Sequence, residues 1–134
     1  MKKFILNAQL EKDSFLLGDL SLCQIRLFNN SNYPWLLLIP KINQMSEIFD
    51  LPLEDQNLLQ QEIVSLGSRL KQATGCDKIN IGILGNIVSQ LHVHIIARFK
   101  HDHSWPRAVW GSETISYADP QHAVRYWQEK LKIL

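Results

Sequence analysis

The pattern of apolar and polar positions in residues 20–40 is typical of two short strands. Residues 20–28 place leucine and isoleucine among polar side chains, and residues 29–32 are a cluster of asparagine and serine that favours a turn. Residues 35–39 are a continuous apolar run that ends at Pro40, as expected for a strand covered on both faces. The two segments together predict a hairpin.

A longer segment, residues 54–74, repeats its apolar side chains at helical spacing. Steps of four, three and four residues put on one face Leu59, Ile63, Leu66 and Leu70. Glu54 and Asp55 suit the positive end of a helix dipole, and Gly75 suits a C-terminal stop. This pattern predicts a helix over residues 54–74.

The rest of the chain adds two strands and a second helix. Residues 79–83 and the longer segment 88–99 are predicted as strands, separated by a turn at residues 85–86. Residues 119–133 contain helix formers, and Pro120 is tolerated at a first helical position. A hairpin, a helix and two further strands predict an α+β domain with a mostly antiparallel sheet.

Length and charge narrow the classes of function. The chain has 134 residues, which suits one domain, and its 46% hydrophobic content is enough for a core. Fourteen Lys and Arg against thirteen Asp and Glu leave a net charge of +1, which argues against long nucleic acid or anionic membrane as a partner. A small phosphorylated ligand remains compatible with this balance.

Cysteine use and hydropathy predict a cytoplasmic protein. Cys23 and Cys76 have no Cys-x-x-Cys spacing, so neither a disulfide framework nor a cysteine zinc site is indicated. The apolar run after the N-terminal lysines is too broken for a signal peptide, and no stretch has the roughly 20 apolar residues that cross a bilayer.

The segment most informative about chemistry is Gln90-Leu91-His92-Val93-His94. Because side chains alternate along a strand, Gln90, His92 and His94 are expected on one face, at intervals of about 6.5 to 7 Å. A buried polar group without a partner costs roughly 1 to 3 kcal/mol, so a partner or a ligand is expected there. The plain alternative is a strand with one face in water.

An imidazole pair in this position has two possible chemistries. A neutral imidazole is a nucleophile toward phosphorus and also a general base. Imidazoles also bind zinc, and His101 and His103 form a second His-x-His pair; however, no carboxylate or thiolate completes a familiar metal-ligand spacing. We therefore predict no metal and no cofactor, with a His-liganded metal protein as a further alternative.

Several motifs in sequence order resemble the histidine triad (HIT) superfamily. The resemblance rests on residues 85–88 leading into residues 90–96, on residues 37–41 that end the hairpin, on Asn80, and on Trp105-Pro106. It covers most of residues 4–111, leaving 112–134 as a C-terminal extension of a single domain spanning 1–134. With Gln90 at the first triad position, the chain looks like a bacterial branch of that superfamily.

The resemblance implies a HIT-like α+β fold with a five-stranded, mostly antiparallel sheet, usually paired into a homodimer. It implies cleavage at the α-phosphate of a nucleoside phosphate ester, a dinucleoside polyphosphate or a phosphoramidate. His92 takes the position of the nucleophile that forms a covalent nucleotidyl-histidine. His94 and Gln90 would donate to the phosphate oxygens from either side. The alternative is a nucleotide-binding module with little or no turnover.

The resemblance also implies a nucleotide-binding set: Asn29 for the ribose, with Asn30 as an alternative, and Asn80, Gly85, Asn86 and Trp105. Three positions depart from the usual pattern. Gln90 replaces a histidine and cannot titrate near neutral pH, Ile87 replaces a hydroxyl residue, and Trp35 stands where many members carry a further histidine. Phe28 is expected in the core, and Trp110 and Tyr117 are expected to cover a sheet edge or a dimer contact.

Overall fold

The computed structural model describes residues 3–133, which form an α+β fold built on one antiparallel sheet. The strands are β1 (Ser14–Asp19), β2 (Cys23–Phe28), β3 (Trp35–Pro40), β4 (Lys78–Gly82) and β5 (Val93–Arg98). Their order across the sheet is β1-β2-β3-β5-β4, and every neighbouring pair is antiparallel. The predicted fold class and five-stranded sheet are therefore confirmed.

Within residues 3–133, three α-helices accompany the sheet: α1 (Ala8–Asp13), α2 (Leu53–Thr74) and α3 (Pro120–Lys130), with a short 3-10 turn at Ile48–Asp50. Helix α2 confirms the prediction for 54–74, and it ends at Gly75, whose φ of 64° is the left-handed conformation that glycine adopts freely. Pro120 lies in the first turn of α3, after the capping residue Asp119. Among residues 3–133, none of the helices combines the length and the hydropathy that a membrane span requires.

Each face of the sheet is covered by a hydrophobic cluster, and β3 and β5 are therefore buried on both sides. On one face, Leu36, Leu38, Val93 and Ile95 pack with the apolar stripe of α2 and with Trp127 of α3. On the opposite face, Trp35, Leu37 and Ile96 pack with Leu10 of α1 and Val109. The second face is the one on which β5 places His94, opposite Leu37 of β3.

A buried carboxylate joins the first face to the turn between β1 and β2. Glu62 of α2 is 6% exposed and accepts backbone hydrogen bonds from Leu22 and Cys23, each at 2.9 Å. Burial, and then the adjacent Glu62 carboxylate, raise the pKa of the Cys23 thiol well above its ordinary value. Helix α2 is thus anchored to the hairpin by charge-assisted hydrogen bonds as well as by packing.

The structure corrects several element boundaries. The predicted strand 88–99 is only Val93–Arg98, because residues 88–92 form a loop in which Leu91 N–H donates to the Met45 carbonyl. The first hairpin strand begins at Cys23 rather than residue 20, the strand predicted at 79–83 is Lys78–Gly82, and the last helix ends at Lys130. Helix α1 and strand β1 were not predicted.

Candidate active site

A cavity of about 460 Å³ opens on the second face of the sheet, beside the two histidines of the motif. Its walls come from α1, from β2 and the turn after it, from β3 and β5, from the loop before β5 and from the segment after residue 108. The lining residues are Gln9, Leu10, Asp13, Phe28, Asn30, Trp35, Leu37, Leu84, Gly85, Asn86, Ile87, Val88, His92, His94, Val109, Trp110, Gly111, Ser112 and Thr114. The size falls within the range of small-molecule sites in proteins, about 300 to 1,000 Å³.

His92 lies in the loop just before β5, and its ring orientation is set by the backbone. Its Nδ1 is 2.6 Å from the carbonyl oxygen of Gln90. Because a carbonyl can only accept, Nδ1 carries the hydrogen, and neutral His92 keeps its lone pair on Nε2. The ring lines the cavity with only 7% of the residue exposed. This is the tautomer that a nucleophile acting through Nε2 requires.

His94, on β5, has the opposite tautomer. The indole Nε1–H of Trp35 donates to His94 Nδ1 at 3.0 Å, and an indole can only donate. His94 therefore carries its hydrogen on Nε2. Burial, and secondly the proximity of His92, lower the pKa of His94 to about 4, so this ring is neutral at physiological pH.

The two rings lie side by side, with centroids 5.0 Å apart and planes inclined at 62°. One presents a lone pair and the other an N–H, so the pair can offer a nucleophile and a hydrogen-bond donor to the same small group. Such a donor, when preorganised, stabilises charge that develops during a displacement. The predicted grouping of His92 and His94 is thus present in the structure.

Gln90 lies elsewhere, which corrects the expectation that its side chain shares this face. Its Oε1 accepts from the backbone N–H of Asn7 at 2.8 Å, and its Nε2 donates to the Ile5 carbonyl at 3.0 Å. The residue precedes β5 and so is not subject to strand alternation. Its side chain pins the N-terminal segment, and only its backbone carbonyl serves the site.

The two asparagines after β2 are engaged with the C-terminal segment. Asn29 does not line the cavity, and its Oδ1 accepts from the Tyr117 N–H at 2.9 Å. Asn30 does line the cavity but is 1% exposed, and its amide contacts the backbone at residues 32, 113 and 115. The structure therefore brings the alternative Asn30, and not Asn29, to the cavity.

Asn80 and Trp105 also lie outside the cavity lining, around a buried ion pair at the end of β5. Arg98 is 1% exposed and bonds Asp102 through Nε at 2.8 Å and Nη2 at 3.1 Å. Its Nη1 donates to Asn80 Oδ1, and its guanidinium lies 5.7 Å from the Trp105 ring centroid. Both residues are committed to this charge cluster, which fixes the loop after β5.

The loop before β5 forms the polar rim of the cavity. Gly85 and Asn86, which the resemblance assigns to nucleotide binding, both line it, and Gly85 has a φ of 79°, a conformation that favours glycine. Ile87 is 96% exposed at the same rim. This rim therefore offers an amide side chain and accessible backbone, and it carries no hydroxyl group at position 87.

Trp110 forms a wall of the cavity that the sequence did not assign to the site. Its ring lies 5.4 Å from His94 and 6.3 Å from Trp35, centroid to centroid. The ring packs where a Cβ on Gly82 would come within 2.7 Å of it, so glycine at position 82 makes room for the indole. The isolated glycine in a strand pattern is the sequence signal for such a close approach.

The charge of the cavity is set by few groups. Its titratable lining residues within 3–133 are Asp13, His92 and His94, with no lysine or arginine among them. Asp13, at the end of α1, was not predicted; its Oδ2 accepts from Gln9 Nε2 at 2.8 Å. In the part of the chain that the structure describes, no group of three His, Cys, Asp or Glu side chains could hold a metal ion, and His101 and His103 do not join His92 and His94.

Comparisons with known proteins agree with this architecture. The family model described as the HIT domain matches residues 9–101. A histidine triad protein from Sinorhizobium meliloti has 43% identity and a TM-score of 0.92, covering 96% of this chain and 95% of its own. One from Bradyrhizobium japonicum has 41% identity and a TM-score of 0.92 over 98% and 97% of the two chains.

A third, from Marinobacter aquaeolei, has 36% identity and a TM-score of 0.91 over 98% of each chain. No curated protein matches the chain. The family match spans well over half of the sequence, and the paired imidazoles lie inside the matched segment. The chain therefore belongs to the HIT domain family.

Proposed function

We propose that this chain is a nucleotidyl hydrolase or transferase that acts at the α-phosphate of a nucleoside phosphate through a covalent intermediate on His92. The observation that carries the proposal is the tautomer of His92: its Nδ1 donates to the Gln90 carbonyl, which leaves the Nε2 lone pair available beside the cavity. Membership of the HIT domain family supports a nucleotide as the ligand.

The reaction would proceed in two displacements. The lone pair of His92 Nε2 forms a bond to phosphorus, and the bond from phosphorus to the leaving group breaks with its electron pair going to that group. The ring is then a cation whose Nδ1–H still donates to Gln90. Water, or another acceptor, attacks the phosphorus, releases neutral His92 and gives up its proton to solvent.

His94, Gly85 and Asn86 are the proposed phosphate contacts. The Nε2–H of His94 is its only remaining donor, because Nδ1 accepts from Trp35. The Asn86 amide and the backbone around Gly85 line the same cavity. Asn30 is the proposed contact near the nucleoside. The nucleotide contacts predicted for four other residues have no support from their positions: Gln90, Asn29, Asn80 and Trp105.

A covalent trap tests this function. Radiolabelled adenylated and guanylated compounds should label the wild type with an acid-labile bond, and label should be absent from His92→Ala. His122→Asn, on the exposed surface of α3, is the matched histidine control and should label normally. A protein that binds mononucleotides but never labels would instead be a binding module, the alternative that Ile87 and the withdrawn Gln90 side chain favour.

We also propose that residues 1–134 act as one domain and pair as a homodimer through α2 and β4. Strand β4 is an edge of the described sheet, and Ile81 on it is 51% exposed. Val64 of α2, 59% exposed, lines an apolar groove together with Ile81. Light scattering should give twice the chain mass for the wild type and a monomer for Ile81→Lys; a monomeric wild type would contradict the dimer.

A further inference from the structure

The hydrogen bond from Trp35 to His94 has a consequence for how a leaving group departs. Indole nitrogen neither accepts nor loses a proton near neutral pH, so the bond fixes His94 Nδ1 as an acceptor. Adding a proton to Nδ1 would break this contact and place a charge in a site where His94 is 7% exposed. The same burial underlies the lowered pKa of His94.

We propose that Trp35 is a positioning residue that keeps His94 a neutral Nε2–H donor, so that the site favours leaving groups that depart as stable oxyanions. The inference rests on the proposed function, because it concerns the first displacement at His92. It deepens that function by predicting that the site prefers anhydrides and esters of acidic alcohols to phosphoramidates and simple alkyl esters.

The other titratable groups of the cavity leave no alternative proton donor among the described residues. His92 uses Nε2 to attack, and its Nδ1–H is held by the Gln90 carbonyl. Asp13, from α1, has a carboxylate that already accepts from Gln9. The side chains that face His94 from β3 and from the segment after residue 108 are Trp35 and Trp110, which do not titrate.

The electron balance shows which leaving groups this arrangement suits. When the bond to phosphorus breaks, the leaving oxygen or nitrogen takes both electrons. A carboxylate, a phosphate or an acidic phenolate is stable with that pair, whereas an amide anion or an alkoxide needs a proton as it leaves. A neutral imidazole N–H can hydrogen-bond to the reacting phosphate, but it is too weak an acid to supply that proton.

Two aryl esters of AMP provide a matched pair of probes: the p-nitrophenyl ester, with the more acidic phenol, and the phenyl ester. For the wild type, kcat/KM should be at least tenfold higher for the p-nitrophenyl ester, and the ratio between the two should not change from about pH 5 to 8. The ratio cancels any effect of pH on the nucleophile, because both substrates need His92. Equal rates, or a ratio that falls as the pH is lowered, would overturn the proposal.

Variants at position 35 supply the second measurement. Trp35→His replaces the indole, which does not titrate, by a titratable ring beside His94, so the ratio of the two rates should become pH-dependent, with the phenyl ester gaining on the p-nitrophenyl ester as the pH falls. Trp35→Phe keeps an aromatic ring without the N–H and should let the His94 proton exchange between its two nitrogens. His122→Asn should behave as the wild type.

Nitrogen NMR of His94 separates this proposal from the proposed function. The wild type should show a protonated Nε2 and an unprotonated Nδ1 throughout pH 5 to 8, and Trp35→Phe should lose that fixed assignment. This readout needs no turnover, so it holds even if His92 never becomes labelled. Protonation of Nδ1 in the wild type, or an unchanged spectrum in Trp35→Phe, would show that Trp35 does not position the ring.

Discussion

The contacts of the buried ion pair Arg98–Asp102 predict how much folding free energy is lost when Asp102 is replaced. Besides the two bonds from Arg98, the Asp102 carboxylate accepts backbone hydrogen bonds from Phe99 at 3.0 Å, Ser104 at 3.2 Å and Trp105 at 2.8 Å. Burial by itself would raise the pKa of Asp102, but the Arg98 and backbone contacts outweigh it and lower the pKa from 3.8 to about 2.

Asp102→Asn should therefore destabilise the fold strongly at neutral pH. One pH unit corresponds to about 1.36 kcal/mol, so the lowered pKa amounts to about 2 kcal/mol of folding free energy. Removing one member of a buried pair also leaves Arg98 without a counter-charge, and the total for such losses is about 3 to 5 kcal/mol. Urea denaturation at pH 7 should show a loss of about 3 kcal/mol.

The stabilisation by Asp102 should depend on pH in a defined direction. Because the pKa is lower in the folded state, the stabilisation is present above the ordinary value of 3.8 and is lost as the pH falls through about 2. The difference between wild type and Asp102→Asn should thus narrow between about pH 4 and pH 2. A gap that stays constant over this range would refute the assignment.

A surface pair provides the matched control. Lys41 and Asp19 are 3.2 Å apart, but their side chains are 31% and 52% exposed. Such pairs contribute about 0 to 1 kcal/mol, so Asp19→Asn should change the free energy of unfolding by less than about 1 kcal/mol. If Asp102→Asn cost no more than this control, the reasoning from burial and geometry would be wrong.

Three further changes test other contacts. Gly82→Ala should displace Trp110, because a Cβ would lie 2.7 Å from its ring. The fold should be retained, indole fluorescence should change and nucleotide binding should weaken. Unchanged fluorescence and affinity would mean that the indole does not form the cavity wall. Glu62→Gln should lower the free energy of unfolding by about 1.5 to 3 kcal/mol, because the amide oxygen of glutamine can accept from only one of the two backbone N–H groups of Leu22 and Cys23, and its NH2 group would face the other donor. The exposed Glu54→Gln should have little effect, and equal effects would contradict the anchor. Gln90→Ala should speed hydrogen exchange at the Asn7 amide yet leave labelling of His92 intact, because only the Gln90 carbonyl contacts that ring; lost labelling would show that the side chain serves the chemistry.

The sequence predicted those parts of the fold whose signals are local. The stripe of α2 and its glycine stop are encoded within the helix itself, and the apolar run of β3 reflects burial on both faces. Helix α1 has six residues and β1 alternates weakly, so neither carries a strong periodic signal. The predicted strand 88–99 ran too long because the loop of residues 88–92 is held by Met45 and the N-terminal segment, contacts that no local pattern reveals.

In the site, too, the features with a local sequence signal were predictable and those that depend on distant contacts were not. The spacing of His92 and His94 placed two imidazoles together, but their opposite tautomers depend on Gln90 and Trp35. Strand alternation predicts the Gln90 side chain beside the two imidazoles, and the prediction fails because Gln90 lies before the start of β5. Trp110 reaches the cavity only through the path of the chain after β5, which sequence spacing does not specify.

The burial of both cysteines should make the folded protein unreactive toward thiol reagents. Cys23 is fully buried and Cys76 is 5% exposed, and the Glu62 carboxylate disfavours a thiolate at position 23. Since maleimides and mild oxidants react with accessible thiolates, the folded protein should resist both. A cysteine introduced at the exposed position of Gln121 would then be the selective attachment point for a fluorescent dye.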